Sequence, residues 1–459
     1  MGEHSVARAL TGLRAPVNPM KLIICALVFT ALITGQPLPI SAPEQVGISS
    51  ERLNRIHKLL DQMVADGKRA GAITLIARNG KIVDWKTYGY RDLAQRLPME
   101  KDTICRIWSM TKIVTSVAAM MLIEEGKMSL SDPVEKYIPE LQGLKVLKGG
   151  TADQPVLEDA VRRVTVKHLL THTSGLTYGF GDPVMAQLYN AKKLFDNSSL
   201  KGFIGKVATL PLAAQPGEKF NYGISTDVLG YLIEVVSGMP FDQFVQNRIL
   251  APLRMNDTHF QVPKEKVTRL AKTYTIREGR LVENPPNDSM GEINPEVPYG
   301  GMSLYSTIGD YARFGQMLLN GGQLDGVRLL GRKTVELMTV NHLNNLAVPY
   351  SDKNGAYGFG LGGTVRVDVA KGNAPGSLGQ FGWDGSATTY FRMDPNERTI
   401  SLLSIGTGEP TGGPGCAARH AGGKRSDVPR HRRQFLVDCC CTPPGGAEVR
   451  ELPGGAFVD

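Results

Sequence analysis

The chain has 459 residues, enough for one large domain or roughly two to three ordinary ones. With 42% hydrophobic and 21% charged residues, its composition is that of a globular protein with a sizeable core. A net charge of +8 is modest at this length, and no long Lys/Arg run or aromatic-basic interleaving occurs, which excludes nucleic acid as an expected partner.

Residues 1–19 carry no pattern. Met20-Lys21 opens an apolar run over 22–34, followed by Gly35-Gln36-Pro37 and small residues at Ser41-Ala42. A charged start, a run of this length and small residues behind it describe a secretory signal peptide, too short for a comfortable membrane span. Residues 1–42 therefore read as an export segment with its effective start at Met20. The expected location is periplasmic or secreted, with no stable membrane span after signal removal; the alternative is an N-terminal anchor.

Residues 50–67 predict a capped amphipathic helix with Leu53, Ile56, Leu59, Leu60 and Met63 on one side. Two β-rich runs, 72–77 and 82–85, are joined at Asn79-Gly80, the strongest short hairpin signal. Next comes Trp108-Ser109-Met110-Thr111-Lys112, running into apolar positions 113, 114, 117, 118, 121 and 122 at helical spacing, with Gly126 as the stop. Helix, hairpin and helix in this order predict an antiparallel sheet with helices packed on it.

From about 130 to 253 the pattern is mostly helical with irregular connections. It includes helix candidates at 164–170, 231–236 and 241–250, and a loop, 216–223, that delivers Tyr222 at an element end. Two further helices are expected at 305–319 and 331–341. Strand-like segments return at 358–361, 364–367, 383–391 and 399–403, with a turn at Asp394-Pro395-Asn396-Glu397. Strands at both ends imply one sheet completed from both termini, with the helical middle as an insertion. Residues 407–459 change character: from 408 onward there are 10 Gly and 6 Pro, and four of the six cysteines. This stretch reads as a disordered extension or a frame-shifted end. The cysteines suggest no disulfide framework.

Ser109 and Lys112 form Ser-x-x-Lys at the start of a buried helix. Three residues apart, they share a helix face. Amides at a helix N-terminus favour negative charge on Oγ, and a lysine in apolar surroundings loses its proton more easily. Such a pair is a nucleophile and a base that needs no histidine. Ser198-Ser199-Leu200-Lys201 repeats the letters but precedes Gly202 and follows Asp196-Asn197, a weaker helix start. Tyr222 is the candidate proton relay. Gly358-x-Gly360-x-x-Gly363 fails as a dinucleotide site because strand-like residues follow it, and His168 and His172 lack the glutamate and third ligand of a metalloprotease. No Gly-x-Ser-x-Gly elbow or phosphate loop occurs.

Several motifs in one order resemble the serine β-lactamase-like family of class C β-lactamases, D-alanyl-D-alanine peptidases and family VIII carboxylesterases. They are residues 106–112, Leu169-Leu170-Thr171-His172-Thr173-Ser174-Gly175-Leu176, Pro216-Gly217-Glu218-x-Phe220-x-Tyr222, residues 311–322 and Gly382-Trp383-Asp384-Gly385. The resemblance covers roughly 43–406. It implies an α+β, β-lactamase/transpeptidase-like fold: an antiparallel sheet flanked by helices, an all-helical subdomain beside it, and the site between.

By the same resemblance Ser109 is the acylated nucleophile, Lys112 its general base and Tyr222 the relay. Trp383, Asp384 and Gly385 line the substrate pocket, and the amides of Ser109 and Ser386 form the oxyanion hole. Two departures stand out. Ile224 occupies the place of an Asn or Ser that follows the tyrosine in β-lactamases, and the third motif lacks its lysine. Both favour neutral esters over anionic β-lactams. The expected function is a carboxylic ester hydrolase acting on a small-molecule ester with no metal or organic cofactor. The rivals are a β-lactamase or D-amino-acid peptidase, and a non-catalytic member that keeps the fold for binding.

Overall fold

The computed structural model describes residues 37–179, 181–284, 294–344, 346, 354–372, 374–386 and 388–408. The apolar run at 22–34 and the Gly/Pro-rich stretch from 409 onward, on which the export and tail readings rest, lie outside the described residues.

Helix α1 (Ser50–Ala65) starts where the Ser49 hydroxyl accepts the Arg52 amide, an N-cap. Strands β1 (Gly71–Arg78) and β2 (Lys81–Asp92) form the expected hairpin. Its corner residues Asn79 (φ 53°) and Gly80 (φ 75°) both take the left-handed conformation that a two-residue type I′ turn requires. β3 (Leu97–Pro98) extends that edge.

The other five strands come from the far end of the sequence: β4 (Tyr357–Phe359), β5 (Thr364–Arg366), β6 (Phe381–Gly385), β7 (Thr389–Asp394) and β8 (Thr399–Ser404). The sheet order is β4-β5-β6-β7-β8-β1-β2-β3, antiparallel at every step. The two ends of the chain meet where β1 pairs with β8, Ile73 opposite Ser404. The Gly358–Gly363 letters join β4 to β5 as strand, turn and strand. Thr407–Gly408 adds a short parallel pairing with Tyr274–Thr275. Residues 38–41, which the sequence reading gave to the export segment, run beside β2: the Ile82 amide donates to Pro39 O at 2.7 Å, and Leu38 is buried.

Successive residues of β1 serve opposite faces, as strand geometry dictates. Ile73, Leu75 and Ala77 enter the main core, whereas Ala72 and Ile76 pack with Leu53, Ile56, Leu60 and Met63 of α1. Helix α5 (Ile308–Leu319) covers the main-core face through Tyr311 and Phe314.

Helix α2 (Thr111–Glu124) is the buried helix expected after Ser109. It is buried all round from Thr111 to Leu122, because it lies between the sheet side of the core and helix α4 (Ser225–Ser237). Two of its threonines bond to distant backbone: Thr115 Oγ1 donates to Gly300 O at 2.7 Å, and the Leu304 amide donates to Thr111 Oγ1 at 3.2 Å. Helix α4 also begins earlier than the sequence signalled, at Ser225 in place of 231, since Ser225, Thr226 and Asp227 are buried and bonded to other segments. The middle of the chain further contains helix α3 (Val166–Leu170), helices at Pro183–Ala191 and Leu200–Val207, and a hairpin, Lys145–Gly150 with Pro155–Asp159. That hairpin is mostly exposed on both faces, so no apolar alternation announced it.

Candidate active site

Ser109 sits in a single 3₁₀ turn, Trp108–Met110, that feeds directly into α2. Trp108 has φ 47°, a left-handed conformation that is strained for a bulky residue. Packing holds it there: the Arg106 guanidinium lies 3.5 Å over its ring. The preceding Ile107 is fixed from two sides, its amide donating to Leu304 O at 3.0 Å and its carbonyl accepting from Thr389 Oγ1 at 3.2 Å. Ser109 is half-buried, and Lys112 one turn on is fully buried.

Tyr222 reaches the same place from the loop before α4. The Asn221 amide donates to His172 O at 2.7 Å, and the Tyr222 ring packs against His172, Tyr178 and Trp383 at centroid distances of 4.9, 5.6 and 5.2 Å. The Tyr222 hydroxyl donates to Ser109 Oγ at 2.6 Å. Trp383 Nε1 donates to Tyr222 Oη at 3.2 Å. Lys112 Nζ lies 3.3 Å from Ser109 Oγ, 3.2 Å from Tyr178 Oη and 2.8 Å from Gly301 O. Serine, lysine and tyrosine thus converge on one hydroxyl, with the third-motif tryptophan behind the tyrosine.

The remaining third-motif residues part ways. Asp384 follows Trp383 on β6, so its side chain leaves the strand on the other face. Its carboxylate is paired with Arg392 of β7 at 2.6 Å. Gly385 is needed because a Cβ there would collide with Ile107 O and Thr389 Oγ1, so β6 runs hard against the segment that carries Ser109. Ser386 is exposed at the end of that strand. Ile224 is fully buried in the main core, so it offers the cleft no polar group.

Around this centre burial governs the ionisable groups. His172 is held well below the usual histidine range, first by burial and then by the nearby Lys112 charge. It packs behind Tyr222, while His168 closes a capping box with Thr165 at the start of α3. Asp227 is pushed up to about 6 by burial, against the pull of Lys112 and the Gly301 amide. Tyr178 is raised well above the usual tyrosine range by burial and by Asp227. Tyr178 and Asp227 were missed in the sequence; their only signals were a Tyr just after the Ser-Gly-Leu motif and an acid five residues beyond Tyr222. Among the described residues no cluster of His, Cys, Asp and Glu could hold a metal ion, and no helix is long and apolar enough to cross a membrane.

An antiparallel sheet flanked by helices, with Ser109 in the turn that leads into a buried helix at its side, defines the class: a serine hydrolase of the β-lactamase/transpeptidase fold. The chain belongs to the family described as beta-lactamase, whose model matches residues 56–420. It is 36% identical to an uncharacterised protein of Mycobacterium tuberculosis over 74% of this chain and 86% of that protein. It is 30% identical to lovastatin esterase of Penicillium rubens, over 74% and 88%. Among solved structures, EstCE1, a hydrolase with promiscuous acyltransferase activity, superposes with a TM-score of 0.69 at 25% identity, covering 84% of this chain and 99% of its own.

Proposed function

We propose that this protein cleaves carboxylic esters through an acyl-enzyme on Ser109. One observation carries the reading: two proton-handling side chains, Lys112 and Tyr222, both lie within hydrogen-bond reach of the Ser109 hydroxyl. Ser109 Oγ attacks the ester carbonyl carbon and gives its proton to Lys112. The oxyanion forms beside the amides of Ser109 and Ser386. As the C–O bond breaks, Tyr222 delivers a proton to the departing alkoxide and is reprotonated through Lys112. Water then attacks the acyl carbon, losing a proton to the same pair; the bond from that carbon to Ser109 Oγ breaks, the proton returns to Oγ, and the acid leaves.

The Trp383 indole supports a neutral ester over a β-lactam, since it stands where penicillin-binding relatives carry a cationic lysine. The test compares catalytic efficiency for a p-nitrophenyl short-chain ester and for nitrocefin; a clear preference for nitrocefin refutes the esterase reading. A fluorophosphonate probe separates catalysis from a binding role. Labelling lost in Ser109→Ala is the expected result, and no labelling of the wild type would leave only the binding role. The name of EstCE1 favours a second outcome, capture of the acyl group by an alcohol in place of water. Adding a short alcohol to the ester assay and quantifying the new ester tests it.

A further inference from the structure

We propose that Arg106 is a positioning residue: stacked on Trp108, its guanidinium keeps the turn before Ser109 left-handed and so aims the Ser109 amide at the oxyanion. The inference rests on the role given above to Ser109.

Trp108 lies between two segments that are tied down. Before it, the Ile107 amide donates to Leu304 O at 3.0 Å and the Ile107 carbonyl accepts from Thr389 Oγ1 at 3.2 Å. After it, Met110 O accepts from Tyr311 Oη at 2.9 Å, and Thr111 Oγ1 accepts from the Leu304 amide at 3.2 Å. With both sides fixed, a relaxation of Trp108 from φ 47° toward the right-handed region has to be absorbed by the peptides in between. The first of these joins Trp108 to Ser109, and its N–H is the Ser109 amide. Turning that plane swings the donor away from the place where the oxyanion forms.

A bulky residue stays left-handed only where its surroundings hold it. The Arg106 guanidinium lies 3.5 Å over the Trp108 ring and 5.7 Å from the centre of the Tyr305 ring. Tyr305 stands opposite Arg106 in a short antiparallel ladder, Cys105–Arg106 with Tyr305–Ser306. Its backbone exchanges two hydrogen bonds with His259, at 2.8 and 2.9 Å, which fixes that side of the guanidinium. Arg106 and Trp108 are 8% and 6% exposed. The stack is therefore desolvated, the condition under which a cation is drawn most strongly to an aromatic face. That attraction is of the same order as the backbone strain it opposes, so removing it leaves the strain without compensation.

The test measures kcat and KM for a p-nitrophenyl ester and for its thionoester, in which C=S replaces C=O, with melting temperatures. Sulfur accepts poorly from an amide, so the ratio of the two efficiencies reports how well the oxyanion donors are aimed, and a general loss of folded protein leaves it unchanged. The enzymes are wild type, Arg106→Met, Arg106→Lys, Trp108→Gly and Arg106→Met with Trp108→Gly. Arg106→Met is expected to lower kcat for the oxygen ester about 10- to 30-fold with KM within about twofold, and to lower the ester-to-thionoester ratio at least about threefold. Glycine takes a positive φ without strain, so in the Trp108→Gly background the same change should add less than about twofold. A kcat for Arg106→Met within about threefold of wild type, an unchanged ratio, or an equal cost in both backgrounds overturns the proposal. Should Arg106→Met fail to fold, Arg106→Lys decides, because lysine keeps the charge but not the flat face on the indole. A lowered ratio then supports the proposal and a wild-type ratio overturns it. Ester turnover that persists in Ser109→Ala is a different result, sinking the catalytic reading itself.

Discussion

Tyr222 and Ser109 stand 113 residues apart in the chain, yet the phenol donates to the serine oxygen at 2.6 Å. The contact is built from three directions. The His172 backbone anchors the residue before the tyrosine, Trp383 caps the phenol from β6, and Gly385 lets that strand press on the turn before Ser109.

Removing either proton carrier should therefore cost about 10²-fold or more in ester turnover, the scale of a lost acid-base group. Lys112→Ala and Tyr222→Phe are to be compared with wild type by steady-state hydrolysis of a p-nitrophenyl ester. Activity within a few-fold of wild type in either variant removes that residue from the mechanism.

Trp383→Phe keeps most of the ring packing but deletes the Nε1–H that meets Tyr222 Oη at 3.2 Å. A net hydrogen bond of about 1–1.5 kcal/mol corresponds to a loss of roughly tenfold in kcat/KM. An unchanged kcat/KM would mean that the indole only fills space.

Gly385→Ala places a methyl against Ile107 O and Thr389 Oγ1, and β6 must move away from the Ser109 turn to admit it. The expected cost is about 1–3 kcal/mol of stability, together with a drop in acylation rate. Urea unfolding followed by fluorescence measures the first and probe labelling the second. Wild-type values for both would show that the strand and the turn are not in firm contact.

Asp227 makes stability depend on pH. Its carboxyl ordinarily titrates at 3.8 but holds its proton up to about 6 in the fold, because burial penalises the charged form. The folded state therefore binds this proton more tightly than the unfolded chain does. Stability from the group is present below about pH 4 and lost as pH rises through 4–6. Unfolding free energies of wild type minus Asp227→Asn should fall across that window by at most about 3 kcal/mol, at 1.36 kcal/mol per pH unit of displacement. A flat difference from pH 4 to 7 contradicts the assignment.

Much of this architecture is legible in local patterns. The Asn79-Gly80 corner, the α1 stripe and the run after Lys112 each follow from side-chain spacing and backbone preference, which neighbouring residues decide among themselves. The exposed hairpin at 145–159 and the early start of α4 were not legible, because both depend on bonds to distant segments. Asp384 shows the same limit: nothing in its motif announced the ion pair it makes with Arg392 on the neighbouring strand.

By itself the sequence determined the Asn79-Gly80 hairpin, the strands at both ends of the chain, the Ser109–Lys112 spacing at a helix start and the family, because each is carried by residues close together or by motifs in a row. Only the tertiary structure decided that Trp383 rests on Tyr222, that Tyr178 and the Gly301 carbonyl hold the Lys112 amine, and that Ile224 belongs to the core. Hydrogen bonds of about 3 Å act through space, and nothing in the spacing of letters along a chain records which distant groups folding will bring within that reach.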